Sequence, residues 1–234
     1  MNKRVFDAVV AALGLALLSP LLLALSAGIF LWDFRSPFYI APRIGKGGKP
    51  FPMVKFRSMV VNADRSGVSS TSDDDRRITP IGRWVRRFKL DELLQLVNVL
   101  LGQMSLVGPR PNVESGTQRY SPSERRLLDV LPGVTDFASI VFADEGAILG
   151  GSTDPDGDYD RLIRPWKSRL GLFYIDQRSM LLDASLMIAT ALALFSRRLA
   201  LDWVACELAQ RGAPQILVDV ARREGPLEPS APPQ

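Results

Sequence analysis

The segment that organises the chain is KLDELLQLVNVLLG, residues 89–102. Its apolar residues recur at the three- and four-residue spacing of a helix with one buried face. They are Leu90, Leu93, Leu94, Val97 and Leu101. This spacing places Asp91, Gln95 and Asn98 on the opposite face and puts Asp91 and Glu92 at the start of the predicted helix. Carboxylates at that position either cap the helix or belong to an active site, and the segment alone leaves both alternatives open.

The composition of the 234 residues limits the chemistry that the chain can perform. Lysine and arginine total 29 against 25 aspartate and glutamate, a net charge of +4. This basic excess suits an anionic partner such as nucleic acid, phospholipid or a phosphorylated substrate. The sequence contains no histidine, which excludes a Ser-His-Asp triad, a Cys-His pair and the usual zinc sites. Its one cysteine, Cys206, rules out an internal disulfide and fits a reducing compartment, so general acid and base roles fall to Asp, Glu, Lys or Tyr.

The N-terminal segment is a candidate membrane helix. Residues 8–32 are apolar and uncharged, and the run exceeds the roughly 20 residues that a helix needs to cross a bilayer. Because proline removes a helix hydrogen bond, Ser19-Pro20 in the middle of the run predicts a kink. Positive charges flank both ends: Lys3 and Arg4 before the run, and Arg35, Arg43, Lys46 and Lys49 after it.

The flanking charges bear on how this helix lies in the membrane. The positive-inside rule places both flanks in the cytoplasm, which a single span cannot satisfy. A re-entrant helix that bends at Pro20 and returns to the same face satisfies the rule, and a plain anchor with a tolerated kink is the alternative. A signal peptide is the weaker interpretation, because the run is too long and no clear cleavage site follows it.

Two basic residues belong to a predicted hairpin and its exit. Residues 40–44 and 51–56 are strand candidates on either side of the turn sequence GKGGKP. The glycines of this turn lack the spacing and the terminal Ser or Thr of a Walker loop. Lys55 and Arg57 alternate with Phe56 and could face an anion, although the strand alone favours a solvated edge.

Two further segments present arginines. A predicted helix from Pro80 carries three arginines on one face, and aromatic residues beside them could place the helix at a membrane interface. The arginines are Arg83, Arg86 and Arg87, and the aromatic residues are Trp84 and Phe88. Farther along, Arg110 stands between Pro109 and Pro111, which stiffen the backbone on both sides. A guanidinium held in this way suits bidentate phosphate binding, but the motif alone also fits a rigid loop.

The remaining chain predicts a mixture of helices and short strands. The run 179–195 is apolar but interrupted by Asp183, which favours an interfacial or core helix over a membrane span. The end of the chain, residues 224–234, is Pro-rich and predicted to be disordered. The other predicted elements are a helix over 121–131 with Ser121 as its cap, a strand over 137–142, a helix over 161–178 and a short strand over 215–220.

An ordered series of motifs, taken together, resembles a known family. The series is Ser19-Pro20, Gly47-Gly48-Lys49-Pro50-Phe51, Lys55-Phe56-Arg57-Ser58-Met59, Arg76-Arg77-Ile78-Thr79-Pro80-Ile81-Gly82, Leu90-Asp91-Glu92-Leu93, Leu106-Val107-Gly108-Pro109-Arg110-Pro111 and Pro132-Gly133-Val134-Thr135. It resembles the bacterial sugar transferases, the monotopic phosphoglycosyl transferases that start membrane-bound glycan assembly. The resemblance covers roughly residues 3–195, and a series of motifs in the same order is more specific than any one motif.

The resemblance implies a reaction and a set of roles. A phospho-sugar moves from a UDP-sugar to polyprenyl (undecaprenyl) phosphate with release of UMP, which initiates polysaccharide, O-antigen or glycoprotein glycan synthesis. Asp91 would be the nucleophile that forms a covalent aspartyl-phosphosugar, and Glu92 would help to hold Mg²⁺. Lys55 and Arg110 match family positions near the phosphates, and Arg86 matches a position linked to polyprenyl phosphate.

These roles agree with the chemistry of the residue types. In a chain without histidine, a carboxylate is a credible covalent nucleophile, and phosphoryl transfer needs mainly positioning and charge neutralisation. A helix N-terminus would also favour the ionised form of a carboxylate and a nearby diphosphate. The predicted site residues are therefore Asp91 and Glu92 for catalysis, Lys55, Arg57, Arg86 and Arg110 for substrate phosphate, Glu92 for Mg²⁺, and Ser19 and Pro20 for the membrane kink.

The chain departs from the family pattern in two places, and the second bears on the identity of the sugar. Many relatives carry a glutamine where this chain has Pro42, and Gly-Trp-Ala-Gln where it has Asp136-Phe137-Ala138-Ser139. The second region is expected to contact the nucleotide sugar.

The expected architecture is an α/β fold, predominantly helical, in three parts. Residues 1–35 form the kinked re-entrant membrane helix, residues 36–199 a small cytoplasmic catalytic domain with interfacial helices, and residues 200–234 a partly disordered extension. The expected location is the cytoplasmic face of the bacterial inner membrane, and a homodimer is left open. A membrane-anchored scaffold with a basic face for anionic lipid is the competing function. A nucleic-acid binder has only the basic balance in its favour, and the apolar N-terminus argues against it.

Overall fold

The computed structural model describes residues 2–66 and 70–234 as a predominantly helical chain with two small sheets. This confirms the predicted balance of helix and strand. The helices are α1 (Lys3–Asp33), α2 (Pro80–Arg87), α3 (Gln95–Leu100), α4 (Glu114–Gln118), α5 (Phe137–Val141), α6 (Glu145–Ile148), α7 (Pro155–Asp158), α8 (Arg164–Gln177), α9 (Met180–Phe195), α10 (Arg197–Gln210) and α11 (Gln215–Arg222). The strands are β1 (Phe38–Ile44), β2 (Pro50–Phe56), β3 (Ser105–Val107) and β4 (Gly133–Thr135).

Helix α1 is, among the described residues, the one helix long and apolar enough to cross a membrane. Asn2 caps its N-terminus by accepting a hydrogen bond from the backbone N–H of Arg4 (3.2 Å). Leucines in its middle are uncovered, with Leu17 81% and Leu23 71% exposed. Contiguous apolar surface of this kind is unfavourable in water and is satisfied by lipid.

Ser19 and Pro20 lie inside α1 and compensate for each other. Pro20 has no N–H, so the carbonyl of Ala16, four residues earlier, loses its helical hydrogen bond. The hydroxyl of Ser19 donates to that same carbonyl (2.8 Å). α1 is assigned as one helix through this pair, and a bend there, with the re-entrant path that it would allow, stays a prediction.

Both ends of α1 are bound to the rest of the chain. Near the N-terminus, Lys3 pairs with Asp183 of α9. At the other end, the carboxylate of Asp33 accepts two hydrogen bonds from the guanidinium of Arg57, both 2.7 Å. The two ends of α1 are therefore both bound to the part of the chain that follows it, which we call the body.

β1 and β2 form the antiparallel hairpin that the sequence predicts. The turn between them requires glycine, because Gly47 and Gly48 have φ angles of 69° and 73°. One face of the hairpin packs on the body, where Ala41 and Met53 are buried. Lys55, two residues after Met53, lies on that same face, so the hairpin directs this lysine inward.

The segment 89–102 folds differently from the prediction. Instead of one helix, it forms a 3₁₀ turn at Leu90–Glu92 and then the short helix α3. The predicted orientation is wrong in part. Leu94 is buried as expected, but Leu101 is 66% exposed and the polar residues of the segment are buried. These buried polar residues are Asp91, Gln95 and Asn98.

Asn98 supplies the physical reason why the polar face is buried. Its side-chain amide donates to the carbonyl of Pro52 (2.7 Å) and accepts from the N–H of Val54 (2.9 Å). These bonds satisfy the edge of β2, which has a partner strand on one side only. The polar face of α3 therefore packs on the hairpin, while Leu96 turns toward Gly14 of α1.

β3 and β4 form a second, parallel sheet that the sequence analysis did not predict. The strands approach closely beside Gly108 and Gly133, where a Cβ atom on Gly133 would lie 2.1 Å from the backbone nitrogen of Gly108. Only glycine fits this approach. Because β3 leads directly into Pro109 and Arg110, the sheet sets the position of that arginine.

Two predicted strands are helices in the structure. Of the predicted strand 137–142, residues Phe137–Val141 form α5, because Asp136 caps the segment by accepting from the N–H of Ser139 (2.7 Å). A short apolar run fits a buried helix or a buried strand equally well. Residues 215–220 belong to α11, which buries side chains at helical spacing. These side chains are Leu217, Val218 and Ala221.

The other helical predictions of the C-terminal half are present with local changes. The predicted basic helix begins as a π-helical turn, Tyr159–Ile163, and continues into α8. The helix predicted after Ser121 is a 3₁₀ turn, Glu124–Asp129, and the hydroxyl of Ser121 accepts from the N–H of its first residue (3.1 Å). α9 is both a core and a surface helix, because Leu186 is fully buried and Phe195 is 90% exposed.

The C-terminal extension packs on the same body. α10 begins at Arg197 and continues past the predicted boundary at residue 199. After α11 the chain contains no helix or strand, and the N–H of Ser230 donates to the carbonyl of Arg161 (3.0 Å). The three-part division, with its disordered end, stays a prediction.

Gly133→Ala should destabilise the folded protein, because the added methyl group would overlap the backbone of Gly108. Overpacking of this kind costs about 1–3 kcal/mol, which lowers the unfolding temperature of a chain of this size by roughly 2–12 °C. Thermal unfolding of the purified full-length protein in detergent measures the change. Gly225→Ala is the matched control, because nothing lies within 4 Å of a Cβ atom there. Equal melting of the two variants would contradict the close approach.

Candidate active site

Asp91 reaches the interior of the body through an unusual backbone turn. Lys89, between α2 and the 3₁₀ turn, has φ 54° and ψ 24°, in the left-handed region that non-glycine residues rarely adopt. Backbone strain of this kind clusters at functional sites. The turn leaves Asp91 8% exposed, and its Oδ1 atom has no hydrogen-bond partner among the described residues.

Burial dominates the protonation behaviour of Asp91. It raises the pKa of the Asp91 carboxyl above its usual range, and the negative charge of Glu92 raises that pKa further. The charges of Lys55 and Arg86 oppose the shift. A buried carboxylate with a free oxygen and cations beside it is arranged to react with an electrophile.

Glu92, the next residue, is held by two cations. Arg110 donates from Nη1 to Oε2 (2.8 Å) and from Nη2 to Oε1 (2.5 Å), and Nζ of Lys55 lies 3.8 Å from Oε1. Burial by itself raises the pKa of Glu92, but the charges of Arg110 and Lys55 outweigh burial and lower that pKa to about 2. Glu92 is therefore ionised at neutral pH.

Arg110 is fixed by the backbone as well as by Glu92. It lies between Pro109 and Pro111 after β3, and its Nη1 also donates to the carbonyl of Val134 in β4 (2.7 Å). A guanidinium carries five N–H donors, so donors remain for a substrate phosphate after these bonds are made. The proline-stiffened arginine predicted from sequence thus lies at the carboxylate pair.

Helix α2 presents its arginines to the same region. Arg86 is half-buried and close enough to Asp91 for its charge to lower the pKa of that carboxyl. Arg83 and Arg87 are exposed, and none of the three arginines forms an ion pair within residues 2–66 and 70–234. Trp84 on the same helix is 68% exposed. Cations beside exposed aromatic rings are typical of a helix at a membrane interface.

The predicted residues meet around one open cleft of about 2330 Å³. The structure brings together Asp91, Glu92, Lys55, Arg86 and Arg110. Arg57 also lines the cleft, but its guanidinium contacts Asp33 and donates to the carbonyl of Ser36 (2.7 Å). Arg57 holds the end of α1 in this structure, and its role in phosphate binding stays a prediction.

A comparison with protein families adds an independent observation. The model of the family described as bacterial sugar transferase matches residues 1–197. The chain belongs to the bacterial sugar transferase family. The match includes every predicted site residue, and it confirms the resemblance from which their roles were inferred.

Curated relatives carry one class of activity in their names. A putative undecaprenyl-phosphate N-acetylgalactosaminyl 1-phosphate transferase of Bacillus subtilis (strain 168) is 42% identical over 145 residues, 57% of this chain and 81% of the relative. A UDP-N-acetylgalactosamine-undecaprenyl-phosphate N-acetylgalactosaminephosphotransferase of Aeromonas hydrophila is 33% identical over 191 residues, 80% of this chain and 42% of the relative. A UDP-glucose:undecaprenyl-phosphate glucose-1-phosphate transferase of Caulobacter vibrioides is 40% identical over 143 residues, 60% of this chain and 54% of the relative. These similarities confirm the predicted enzyme class, a phosphoglycosyl transferase.

The cleft of this family member also contains residues outside the predicted set of catalytic and phosphate-binding residues. Glu145 pairs with Lys167, whose Nζ lies 5.2 Å from the centre of the Tyr159 ring. Buried Asp136 and half-buried Arg43 line the same cleft. Because these residues come from distant segments, no spacing in the sequence brings them together. In the sequence, the departure from the family pattern at Asp136 was the signal that residues of this part of the cleft contact the substrate.

Asp91→Asn should raise the unfolding temperature at pH 7. The folded-state pKa of Asp91 lies above its usual value of 3.8, so ionisation of this residue lowers the free energy of unfolding as the pH rises through the folded-state pKa. An asparagine side chain stays neutral, so the variant does not lose this part of the free energy of unfolding. We expect a rise of roughly 2–4 °C, the shift that about 1 kcal/mol gives in a chain of this size. Thermal unfolding of the purified protein measures it.

The gain should disappear below the usual pKa of 3.8, because Asp91 is then protonated in both the folded and the unfolded protein. Asp129→Asn is the matched control, since Asp129 is exposed and its substitution should leave the unfolding temperature unchanged. A lower unfolding temperature for Asp91→Asn at pH 7 would contradict a free-energy cost of burying this carboxylate.

Proposed function

We propose that the protein transfers a sugar phosphate from a UDP-sugar to undecaprenyl phosphate through a covalent intermediate on Asp91. The observation that carries the proposal is the buried Asp91 carboxylate, with an oxygen that has no partner, directly before a Glu92 held by Arg110 and Lys55. The family match and the names of the relatives support the substrates.

The reaction takes place in two displacements at the same phosphorus. An oxygen of Asp91 attacks the phosphorus that bears the sugar, and the bond from that phosphorus to the UMP oxygen breaks, so UMP leaves with the electron pair. An oxygen of undecaprenyl phosphate then attacks the aspartyl-phosphosugar. The bond to Asp91 breaks, the carboxylate is restored, and the product is an undecaprenyl-diphosphate-linked sugar.

The surroundings of Asp91 suit this sequence of steps. Its Oδ1 is not engaged by a hydrogen bond among the described residues, and its low exposure limits the access of water to an acyl-phosphate intermediate. Lys55 and Arg110 are placed to neutralise the phosphate under attack. Because Arg110 is held by Glu92 and by the carbonyl of Val134, little reorganisation is needed when the substrate binds.

We propose Mg²⁺ as the cofactor, with Glu92 as its protein ligand. Within residues 2–66 and 70–234, no group of three or more His, Cys, Asp or Glu side chains is placed to hold a metal ion. Mg²⁺ is commonly held by one or two carboxylates together with substrate phosphates and water. Each oxygen of Glu92 accepts one hydrogen bond from Arg110 and has a second lone pair, so Glu92 retains the capacity to bind the ion. When bound, the ion would neutralise charge on the diphosphate.

The acceptor is proposed to arrive from the membrane along α2. Its phosphate would meet Arg86, with Arg83 and Arg87 on the same helix, while Trp84 faces the lipid. The re-entrant placement of α1 at the cytoplasmic face of the inner membrane is part of this proposal. Ion pairs bind both ends of α1 to the same body, which supports the re-entrant placement. A straight span across the bilayer would place the two ends on opposite sides of the membrane.

Asp91→Asn should reduce transfer of radiolabelled phospho-sugar to undecaprenyl phosphate by at least about 10³-fold, the scale expected when a covalent nucleophile is lost. A panel of UDP-sugars identifies the donor, with UMP release as the readout. Without acceptor, wild-type protein should retain the sugar label and release UMP in proportion to protein. Asp129→Asn, at an exposed site, is the control with normal transfer. Undiminished transfer by Asp91→Asn would reject Asp91 as the nucleophile.

Cysteine labelling tests the topology of α1. In a Cys206→Ser background, Asn2→Cys and Ile40→Cys place single thiols on the two flanks of the apolar helix. A membrane-impermeant maleimide added to intact cells should label neither thiol if α1 is re-entrant, and both after the cells are permeabilised. Labelling of one flank from outside intact cells would establish a spanning helix instead.

A further inference from the structure

Arg43 lies on the same face of the β1–β2 hairpin as Lys55. In the register of the hairpin, Tyr39 pairs with Lys55 and Arg43 pairs with Phe51, and alternate residues of a strand point to the same side. That side includes Ala41, which is fully buried, so it is the side that packs on the body. Four residues at about 3.3 Å each put Arg43 about 13 Å along the strand from the position opposite Lys55.

Arg43 has no anionic partner of its own. It is half-buried and lines the same cleft as Asp91. Its guanidinium donates to the carbonyl of Pro42 (2.9 Å), and no carboxylate among the described residues forms an ion pair with it. Burial lowers the pKa of Arg43, Tyr39 opposes this shift, and the charge of Arg110 adds to it. An anion that binds from the cleft would stabilise a guanidinium in this position.

Among the described groups whose charges act on Arg43, none is a carboxylate. Arg43, Lys55 and Arg110 are close enough for their charges to act on one another. Glu92 pairs with Lys55 and with Arg110, which leaves Arg43 without a counter-charge. A phosphate of the donor would give Arg43 the counter-charge that it lacks.

We propose that Arg43 binds the phosphate of the UMP half of the donor and neutralises it as the leaving group. This inference rests on the proposed function. In an in-line displacement the leaving oxygen lies opposite the attacking oxygen, so the UMP phosphate lies farther from Asp91 than the phosphate held by Lys55 and Arg110. Among the described residues of this hairpin face, Arg43 is the cation that no carboxylate already holds.

The experiment measures UMP binding to full-length protein in detergent by isothermal titration calorimetry. Arg43→Gln should weaken UMP binding at least about tenfold, as expected for the loss of a charged hydrogen bond to phosphate. Lys49→Gln removes one positive charge from the same hairpin at an exposed position and should bind UMP like the wild type. Uridine, which lacks the phosphate, should bind the wild type and both variants equally.

Three outcomes would overturn the inference. If the wild type binds UMP and Arg43→Gln binds it as tightly, the assignment fails while the proposed function stands. Equal losses of UMP and uridine binding would place Arg43 at the nucleoside instead of the phosphate. If the wild type binds no UMP, the assignment fails together with the proposed donor.

A second variant covers the case in which Arg43→Gln does not fold, which its thermal unfolding shows. Arg43→Lys keeps the charge but loses the bidentate fork of the guanidinium. It should bind UMP more weakly than the wild type and bind uridine equally. Unchanged UMP binding by Arg43→Lys would then overturn the inference.

Discussion

The bidentate ion pair between Glu92 and Arg110 joins the segments on which the site depends. Glu92 comes from the turn before α3 and Arg110 from the loop after β3, and Arg110 also contacts β4 through the carbonyl of Val134. Lys55 adds the β1–β2 hairpin to the same carboxylate. A mostly buried carboxylate is unfavourable without partners. Burial of Glu92 therefore favours the contacts among the turn before α3, the loop after β3 and the hairpin.

The same arrangement gives two adjacent carboxyl groups opposite properties. Glu92 is surrounded by cations that lower its pKa, whereas burial and the charge of Glu92 raise the pKa of Asp91. Environments that move the pKa values of neighbouring acids apart are a common way to give them different roles. Here Glu92 is held by Arg110 and Lys55, and Asp91 keeps an oxygen without a hydrogen-bond partner among the described residues, as the proposed role of nucleophile requires. The cost in stability at Asp91 is the trade-off expected where a group is held ready to react.

The sequence predicted the main site residues but not the surfaces that bring them together. Lys55 and Arg110 each had a plain structural explanation when taken alone, and only the order of several motifs pointed to one site. The inward face of residues 89–102 was predicted only in part, because apolar periodicity assumes that the protein interior is the apolar side. In the structure, the edge of β2 offers backbone hydrogen bonds to Asn98 on one side, and the apolar helix α1 covers the other side.

By itself, the sequence determined the features whose causes lie within a few residues. The apolar length of α1, the glycine turn of the hairpin and the proline-stiffened Arg110 are of this kind, because local sterics and hydropathy decide them. Only the tertiary structure decided which carboxylate is paired, which is left free, and that Arg43 lies without a counter-ion on the face of Lys55. Burial and charge depend on groups that are distant in the chain, and local sequence does not encode their distances.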